Sequence, residues 1–175
     1  MFWMVRAFAV LLLIVLIVLG LGYLLPAERN TTTTTLIDAL PDRVYQILTD
    51  VEKQTVWRTE LRSLTVQERG ELVGWTEVRE SGLDIRVHET AKAANRQYDV
   101  SFETSNGIRG TLAGALESSS EGRTKLTVVE TVIVDNPLMR VVCYVFLNLD
   151  TVMDTYLGDL NRYASKPPAV EKEPL

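Results

Sequence analysis

Residues 135–165 constrain the fold of this 175-residue chain more than any other part of the sequence. Asp135 and Asn136 are candidate N-caps, and Pro137 is the residue type that favours the first turn of a helix. No proline follows in the stretch, which predicts one continuous helix of roughly seven turns, about 40 Å long. Apolar residues recur along it at helical spacing, at Leu138, Val142, Val145, Leu149, Val152, Tyr156, Leu160 and Tyr163. A helix with so broad an apolar face must pack against a large concave surface.

The chain between residues 31 and 134 has the pattern of short strands that would form this surface. Residues 31–38 are a β-branched run typical of a strand, Pro41 begins a short helix that extends to Asp50, and a second helical piece ends near Trp57. Six more strands are predicted at 61–67, 72–79, 84–92, 97–104, 108–117 and 124–134. Connections this short allow only antiparallel pairing, and Asn106-Gly107 favours a two-residue hairpin turn. The predicted fold class is α+β, a seven-stranded antiparallel sheet around a long C-terminal helix.

Residues 7–25 carry no charged side chain, and thirteen of these nineteen are Leu, Ile or Val. As a helix they would span about 28 Å, close to the hydrocarbon thickness of a bilayer, about 30 Å. A buried core helix would show a polar face, which this segment lacks. A cleaved signal peptide is the alternative, although no small-x-small cleavage site precedes Pro26. The sequence therefore predicts a single-span membrane anchor.

These segments divide the chain into an anchor over residues 1–25, a linker over 26–30, a domain over 31–165 and a disordered tail over 166–175. Five linker residues reach less than about 20 Å, so the domain is expected to lie against the bilayer surface. Arg6 is the charged residue on the short side of the anchor, which favours a cytoplasmic N-terminus and a domain outside the cytoplasm.

The charge balance argues against nucleic acid as a partner. The formal net charge is −5, and without Arg6 the balance is 17 basic against 23 acidic residues, or −6. One cysteine, Cys143, and one histidine, His88, do not make a usual zinc site, and no intrachain disulfide is possible. We expect Cys143 to be a small buried apolar residue, His88 to point outward, and the protein to use no metal or other cofactor.

Carboxylates are the candidates for chemistry. Three share the phase of the apolar residues in their strands: Glu77, Glu89 and Glu130. A carboxylate that points into an apolar cavity has a raised pKa, so it can act as a general acid or base or anchor a ligand hydroxyl or carbonyl. Glu130 and Glu89 are the candidate catalytic residues. Alternatively, each lies in solvent at a bulge or strand end, or is satisfied by an Arg or Tyr partner.

The order of these elements resembles the START-like (SRPBCC) superfamily of helix-grip proteins, which includes polyketide cyclases and lipid-transfer domains. The segments that carry the resemblance are 37–41 with 44–50, Trp57-Arg58, 110–112, 122–126, 135–140 and Tyr156-Leu157. The resemblance implies a deep apolar cavity between sheet and long helix, but no particular reaction. The candidate ligand-binding residues are Trp57, Trp75, Tyr98, Phe102, Glu130, Tyr144, Val145, Leu149 and Met153, although aromatic residues at such spacing also serve as ordinary core.

Three functional hypotheses follow from the sequence. The first is a membrane-tethered module that binds a hydrophobic ligand, such as a lipid, an isoprenoid or a quinone. The second is a cyclase- or aromatase-type enzyme in which Glu130 or Glu89 pairs with a tyrosine as acid and base. The third is an envelope interaction protein whose cavity is filled by its own side chains. We favour the first, and the sequence leaves the oligomeric state open.

Overall fold

The computed structural model describes residues 2–146 and 148–166. Its helices are α1 (Phe2–Leu24), α2 (Pro41–Thr49), α3 (Gln54–Trp57), α4 (Pro137–Phe146) and α5 (Leu149–Ala164). Its strands are β1 (Glu28–Ile37), β2 (Leu61–Glu68), β3 (Gly74–Arg79), β4 (Asp84–Ala93), β5 (Gln97–Thr104), β6 (Ile108–Ser118) and β7 (Thr124–Val134). A 3-10 turn at Val51–Lys53 precedes α3, and another at Ser120–Gly122 precedes β7.

The seven strands form one antiparallel sheet in the order β1-β7-β6-β5-β4-β3-β2. Consecutive strands from β2 to β7 pair with each other, and β1 pairs with β7 at the edge. The predicted α+β fold class is confirmed. The connection between β5 and β6 differs from the predicted hairpin turn, because Gly107 alone has a positive φ, 83°, and three residues lie between the strands. The Thr104 hydroxyl closes this loop by accepting a hydrogen bond from the Ile108 amide at 2.9 Å.

The first strand begins at Glu28, earlier than the predicted start at Thr31. Glu28 lies opposite Ile133, and the Val134 amide donates a hydrogen bond to the Ala27 carbonyl at 2.8 Å. Residues 28–30 therefore belong to the sheet rather than to a linker, and Leu25 to Ala27 connect α1 to it. The strand starts earlier because β7 extends to Val134, so its last residues pair with the polar residues 28–30 that precede Thr31.

The single long helix predicted over 135–165 is wrong, because α4 and α5 are separate helices. Asn148 has an extended backbone (φ −92°, ψ 101°), and its side chain accepts a hydrogen bond from the Thr151 amide at 3.3 Å, so it caps α5. The Asn136 side chain caps α4 in the same way, through the Leu138 amide at 2.9 Å. Of the predicted tail, residues 167–175 lie outside the described residues.

The sheet packs one face on α5, as the helix-grip prediction requires. Met153, Leu157, Leu160 and Ala164 of α5 are buried in a cluster with apolar residues from α2, α3 and strands β1 and β3–β7. A second cluster holds the inner face of α4 through Cys143, together with Ile108, Val132, Val134 and Leu149. The two helices thus bury apolar faces against different parts of the same sheet.

Helix α1 packs against the domain near its C-terminal end. It is long and apolar enough to cross a membrane, by length and composition, and nearly all its side chains are exposed. A secretory signal sequence near an N-terminus meets the same criteria. Gly22 is the point of close contact, because a Cβ there would lie 2.1 Å from the Pro137 carbonyl oxygen. Arg140 of α4 also donates a hydrogen bond to the Gly22 carbonyl at 3.4 Å.

Candidate functional site

A cavity of about 270 Å³ lies between the inner face of the sheet and α5. Cavities of about 150 Å³ already accept benzene, so this volume suits a ligand larger than a single ring. Most of its wall is apolar: Leu83, Ile85, Val87, Val100, Phe102, Ile108, Leu112, Val132, Leu149, Val152 and Met153. Those on the strands point inward because alternate residues of a strand face the same side and the apolar ones face α5, which contributes Leu149, Val152 and Met153.

Six predicted ligand-binding residues line this cavity: Trp75, Tyr98, Phe102, Glu130, Leu149 and Met153. The Phe102 ring lies over Gly110 of β6, its register partner, where a Cβ would lie 2.7 Å from the ring. This glycine on the inner face of the sheet therefore makes room for the aromatic side chain at the cavity wall. Whether these residues bind a ligand stays a prediction.

Three predicted ligand-binding residues are placed elsewhere. Trp57 is buried behind the cavity wall, with its ring 5.4 Å from the ring of Tyr156. Tyr144 and Val145 lie on α4 and are 54% and 66% exposed. Their placement differs because the prediction extended one helical stripe across Asn148, whereas α4 ends before it and has its own orientation.

The cavity also has a charged side, which we call the charged cluster: Arg58, Glu60, Glu77 and Arg79. Arg58 donates two hydrogen bonds to the Glu77 carboxylate, at 2.6 and 2.9 Å, and one to Glu60 at 2.9 Å. Trp75 Nε1 donates a third to Glu77 at 3.0 Å. Arg79 lies 3.5 Å from Glu60 and 3.7 Å from Glu77, measured between nitrogen and oxygen. Two positive and two negative charges therefore balance at this wall.

The electrostatics of the cluster favour its ionised form. Burial raises the pKa of Glu77, but the Arg58 guanidinium beside it has the larger combined effect and lowers the pKa below the ordinary value of 4.5. Burial lowers the pKa of Arg58, but the Glu77 carboxylate reverses this and raises it. Burial and the like charge of Arg58 lower the pKa of Arg79. The Arg58–Glu77 pair is therefore a charged pair at neutral pH.

Glu130 faces the cavity from the middle of β7, beside Leu112 of β6. Burial raises its pKa, and the positive charges of Arg79 and Arg29 oppose this rise less strongly. Its Oε2 atom is buried and has no hydrogen-bond partner among the described residues. Glu130 thus differs from Glu77, because it is buried at the cavity without a bonded cation.

Two tyrosines at the cavity wall remain protonated at neutral pH. Burial raises the pKa of Tyr156 to about 12 and that of Tyr98 well above its ordinary value. Arg58 also lies over the Tyr156 ring, 5.3 Å from its centroid. Both residues therefore keep a hydroxyl donor at neutral pH.

Glu89, the other candidate catalytic residue, is buried in the middle of β4, outside the cavity lining. Its Oε2 atom accepts hydrogen bonds from Lys92 at 2.7 Å and from the Val73 amide at 2.9 Å. It keeps the inward phase of Ile85 and Val87 and lies opposite Val100, and a bulge in β4 follows it. His88 is exposed on the outer face, and the described residues contain no group of three or more potential metal ligands.

The charged cluster was not predicted from the sequence as a unit. Glu77 and Arg79 lie on the inward row of β3 with Trp75, and this shared phase was the available signal. Arg58 was known only as part of the Trp57-Arg58 motif. Its pairing with Glu77 required the register of β2 against β3, which is interrupted by two shifts.

Solved structures with this fold come from several kinds of protein. The Zhui aromatase/cyclase from Streptomyces sp. R1128 superposes with a TM-score of 0.62 at 13% identity, covering 78% of this chain and 93% of that one. Norcoclaurine synthase from Thalictrum flavum superposes with a TM-score of 0.64 at 4% identity, covering 80% of this chain and 88% of that one. A START superfamily protein from Mycobacterium smegmatis superposes with a TM-score of 0.58 at 12% identity, covering 77% of this chain and 96% of that one. Neither a protein-family model nor a curated protein matches the sequence. The chain therefore has the helix-grip fold of START-like proteins.

Proposed function

We propose that this protein is a membrane-tethered module that binds one hydrophobic small molecule between its sheet and α5. The observation that carries the proposal is the cavity, whose wall is mostly apolar and includes only a few polar groups. Small-molecule sites typically have this composition, because apolar area supplies affinity and a few polar atoms fix orientation. The tether in this proposal is α1, which joins the sheet through residues 25–27.

The polar groups of the wall indicate what such a ligand carries. Arg79 Nε, Glu60 Oε2 and Glu130 Oε2 are buried and have no hydrogen-bond partner among the described residues. Unpaired buried polar atoms are unfavourable, so a ligand that bonds them gains specificity as well as affinity. We infer an amphiphile with an apolar body and a hydroxyl or carbonyl group, a description that lipids, isoprenoids and quinones share.

The proposal is tested by native mass spectrometry and organic extraction of the full chain after gentle detergent purification. A bound hydrophobic molecule is expected in the wild type. Leu112→Trp, which fills the cavity from β6, should lose it, while Val129→Trp on the outer face of β7 should retain it. An empty wild-type protein that no lipid stabilises against thermal unfolding would refute the proposal, because a ligand at about 100 times its Kd adds about 2.7 kcal/mol.

A second candidate is an enzyme of the cyclase or aromatase type. It is favoured by Glu130, a cavity carboxyl with a raised pKa and no bonded cation, in the same cavity as two tyrosines that stay protonated. Such a group can act as a general acid or base. If the extracted ligand is converted to a product by the wild-type protein, Glu130→Gln should fold normally and lose that conversion. Unchanged conversion by the variant would refute the role of Glu130.

A further inference from the structure

Helix α4 exposes an apolar face to its surroundings. We define this face by Leu138, Val142, Val145 and Phe146, whose exposed fractions range from 46% to 81%. The opposite side of the helix packs into the domain through Cys143. Ten residues of α4 contain one charged side chain, Arg140, and it turns away from the exposed face. The face therefore has apolar surface but no described residue that covers it.

Arg140 shows how α4 is fixed beside α1. Its guanidinium donates hydrogen bonds to the Val134 carbonyl at 2.7 Å and to the Gly22 carbonyl at 3.4 Å. Gly22 approaches Pro137 so closely that a Cβ would overlap its carbonyl. The first turn of α4 thus contacts the last turns of α1. If α1 crosses a bilayer, α4 lies at its surface.

The antiparallel topology places part of the cavity lining at the same end of the sheet. β1 begins there directly after α1, and its first residue, Glu28, pairs with Ile133 near the end of β7. The β3–β4 and β5–β6 connections and the start of α5 lie at this end too, and they contribute Leu83, Thr104 and Val152 to the cavity. Val152 is the most exposed of the lining residues described, at 38%.

The charge and aromatic content of this end fit a membrane interface. Arg29 lies over the Tyr144 ring, 5.2 Å from its centroid, just after the apolar segment of α1. Tyrosine and arginine at the end of an apolar helix are typical of the lipid headgroup region. An apolar helix face that lies in this region is buried about 5–10 Å into the headgroup and acyl boundary.

We propose that the apolar face of α4 is inserted into the bilayer interface beside α1, so that the cavity mouth at Val152 opens toward the membrane. The ligand is then a membrane-resident amphiphile that passes between bilayer and cavity without crossing bulk water. This inference rests on the proposed function for its ligand and its tether. A bilayer fits this face better than a second copy, because α1 itself brings the face to the membrane surface.

The test places an environment-sensitive NBD fluorophore on single cysteines of the full chain in phosphatidylcholine nanodiscs. The background is Cys143→Ala, and the sites are Val145→Cys on the apolar face, Val152→Cys at the mouth, Leu13→Cys within α1 and Leu40→Cys at the opposite end of the sheet. All four native side chains are exposed, so labelling leaves the core intact. We expect blue-shifted emission and quenching by spin-labelled lipid at Val145, Val152 and Leu13, and several-fold stronger iodide quenching at Leu40.

The outcomes separate this inference from the proposed function. The inference is overturned if iodide quenches Val145 as strongly as Leu40 while Leu13 is protected from iodide. This result would still support α1 as a membrane tether. Iodide access at Leu13 refutes the tether itself, and with it the membrane part of the proposed function. Protection at Val145 from both iodide and lipid quenchers means that protein covers the face, which also overturns the inference. If a labelled Val145 variant fails to fold, Leu138→Cys provides the same readout on the same face.

Discussion

Replacing Glu77 by Gln is expected to lower the free energy of unfolding by about 3 kcal/mol at neutral pH. The Glu77 side chain is 3% exposed and accepts hydrogen bonds from both Arg58 terminal nitrogens and from Trp75. Removing one partner of a buried pair typically costs about 3–5 kcal/mol, because the other charge stays buried without compensation. Glu60 still pairs with Arg58 at 2.9 Å in the variant, so we expect the lower end of this range.

Urea titration of the full chain in a mild nonionic detergent, followed by tryptophan fluorescence, measures this loss. Trp57 and Trp75 are buried in the domain and report its unfolding. The matched control is Glu117→Gln, which breaks an exposed pair with Lys125 at 3.0 Å and should cost less than about 1 kcal/mol. A double variant, Arg58→Met with Glu77→Leu, should recover most of the loss, because it removes both buried charges.

The pH dependence gives a second readout of the same reasoning. Because the folded-state pKa of Glu77 is lowered from 4.5, its stabilising contribution is present above that value and is lost as pH falls through the folded-state pKa. The difference in free energy of unfolding between wild type and Glu77→Gln should therefore decrease as the solution is acidified. Two results would refute the assignment of a buried charged pair. One is that Glu77→Gln lowers the free energy of unfolding at neutral pH no more than Glu117→Gln does. The other is that the difference in this free energy between wild type and Glu77→Gln does not change in acid.

Four further substitutions test other parts of the structure by the same titration. Burial raises the pKa of Glu130, so wild-type stability should fall as pH rises through the folded-state value, and Glu130→Gln should abolish this fall. Asn148→Ala removes the cap of α5 and should lose about 1 kcal/mol, whereas an unchanged midpoint would contradict the cap. Gly110→Ala places a Cβ 2.1 Å from the Thr131 carbonyl and should lose about 1–3 kcal/mol, whereas Gly158→Ala, in open space on α5, should gain up to about 1 kcal/mol.

The strands were the most predictable part of the fold. Strands β5 and β7 have the predicted bounds, because each alternates apolar and polar residues between clear turn signals. Pairing order followed from the short connections, which leave antiparallel neighbours as the only geometry. The sheet edge was less predictable, since β1 gains Glu28 to Asn30 through pairing with β7 rather than through β propensity.

The break between α4 and α5 could not be read from apolar periodicity. Spacings of three and four continue across it, because both helices bury an apolar side against the same sheet. Asn148 was the local signal, as a residue type that favours N-caps, but Asn also occurs within helices. Because of this error, Tyr144 and Val145 were predicted at the ligand site, whereas they are exposed on α4. Leu149 and Met153 on α5 do line the cavity.

The site was predictable where alternation alone decides the direction of a side chain, as for Tyr98, Phe102 and Glu130. It was not predictable where a contact joins distant segments. Arg58 and Glu77 are separated by 19 positions, and a sequence pattern does not show which buried charges meet. Glu89 is a further case, because it shares the inward phase of Ile85 and Val87, yet it bonds Lys92 and the Val73 amide outside the cavity lining.

Strand β1 occupies one edge of the sheet, and its attachment to α1 limits how two copies of the protein can associate there. An exposed edge strand can pair with the same edge of another molecule. Antiparallel pairing of two β1 strands would place their N-terminal ends about 30 Å apart on opposite sides of the assembly, at about 3.4 Å per residue. If α1 crosses a bilayer and β1 rises from its surface, this arrangement cannot place both α1 helices in one bilayer. An α1 anchor of the kind proposed would therefore disfavour strand-to-strand self-association at the threonine-rich edge.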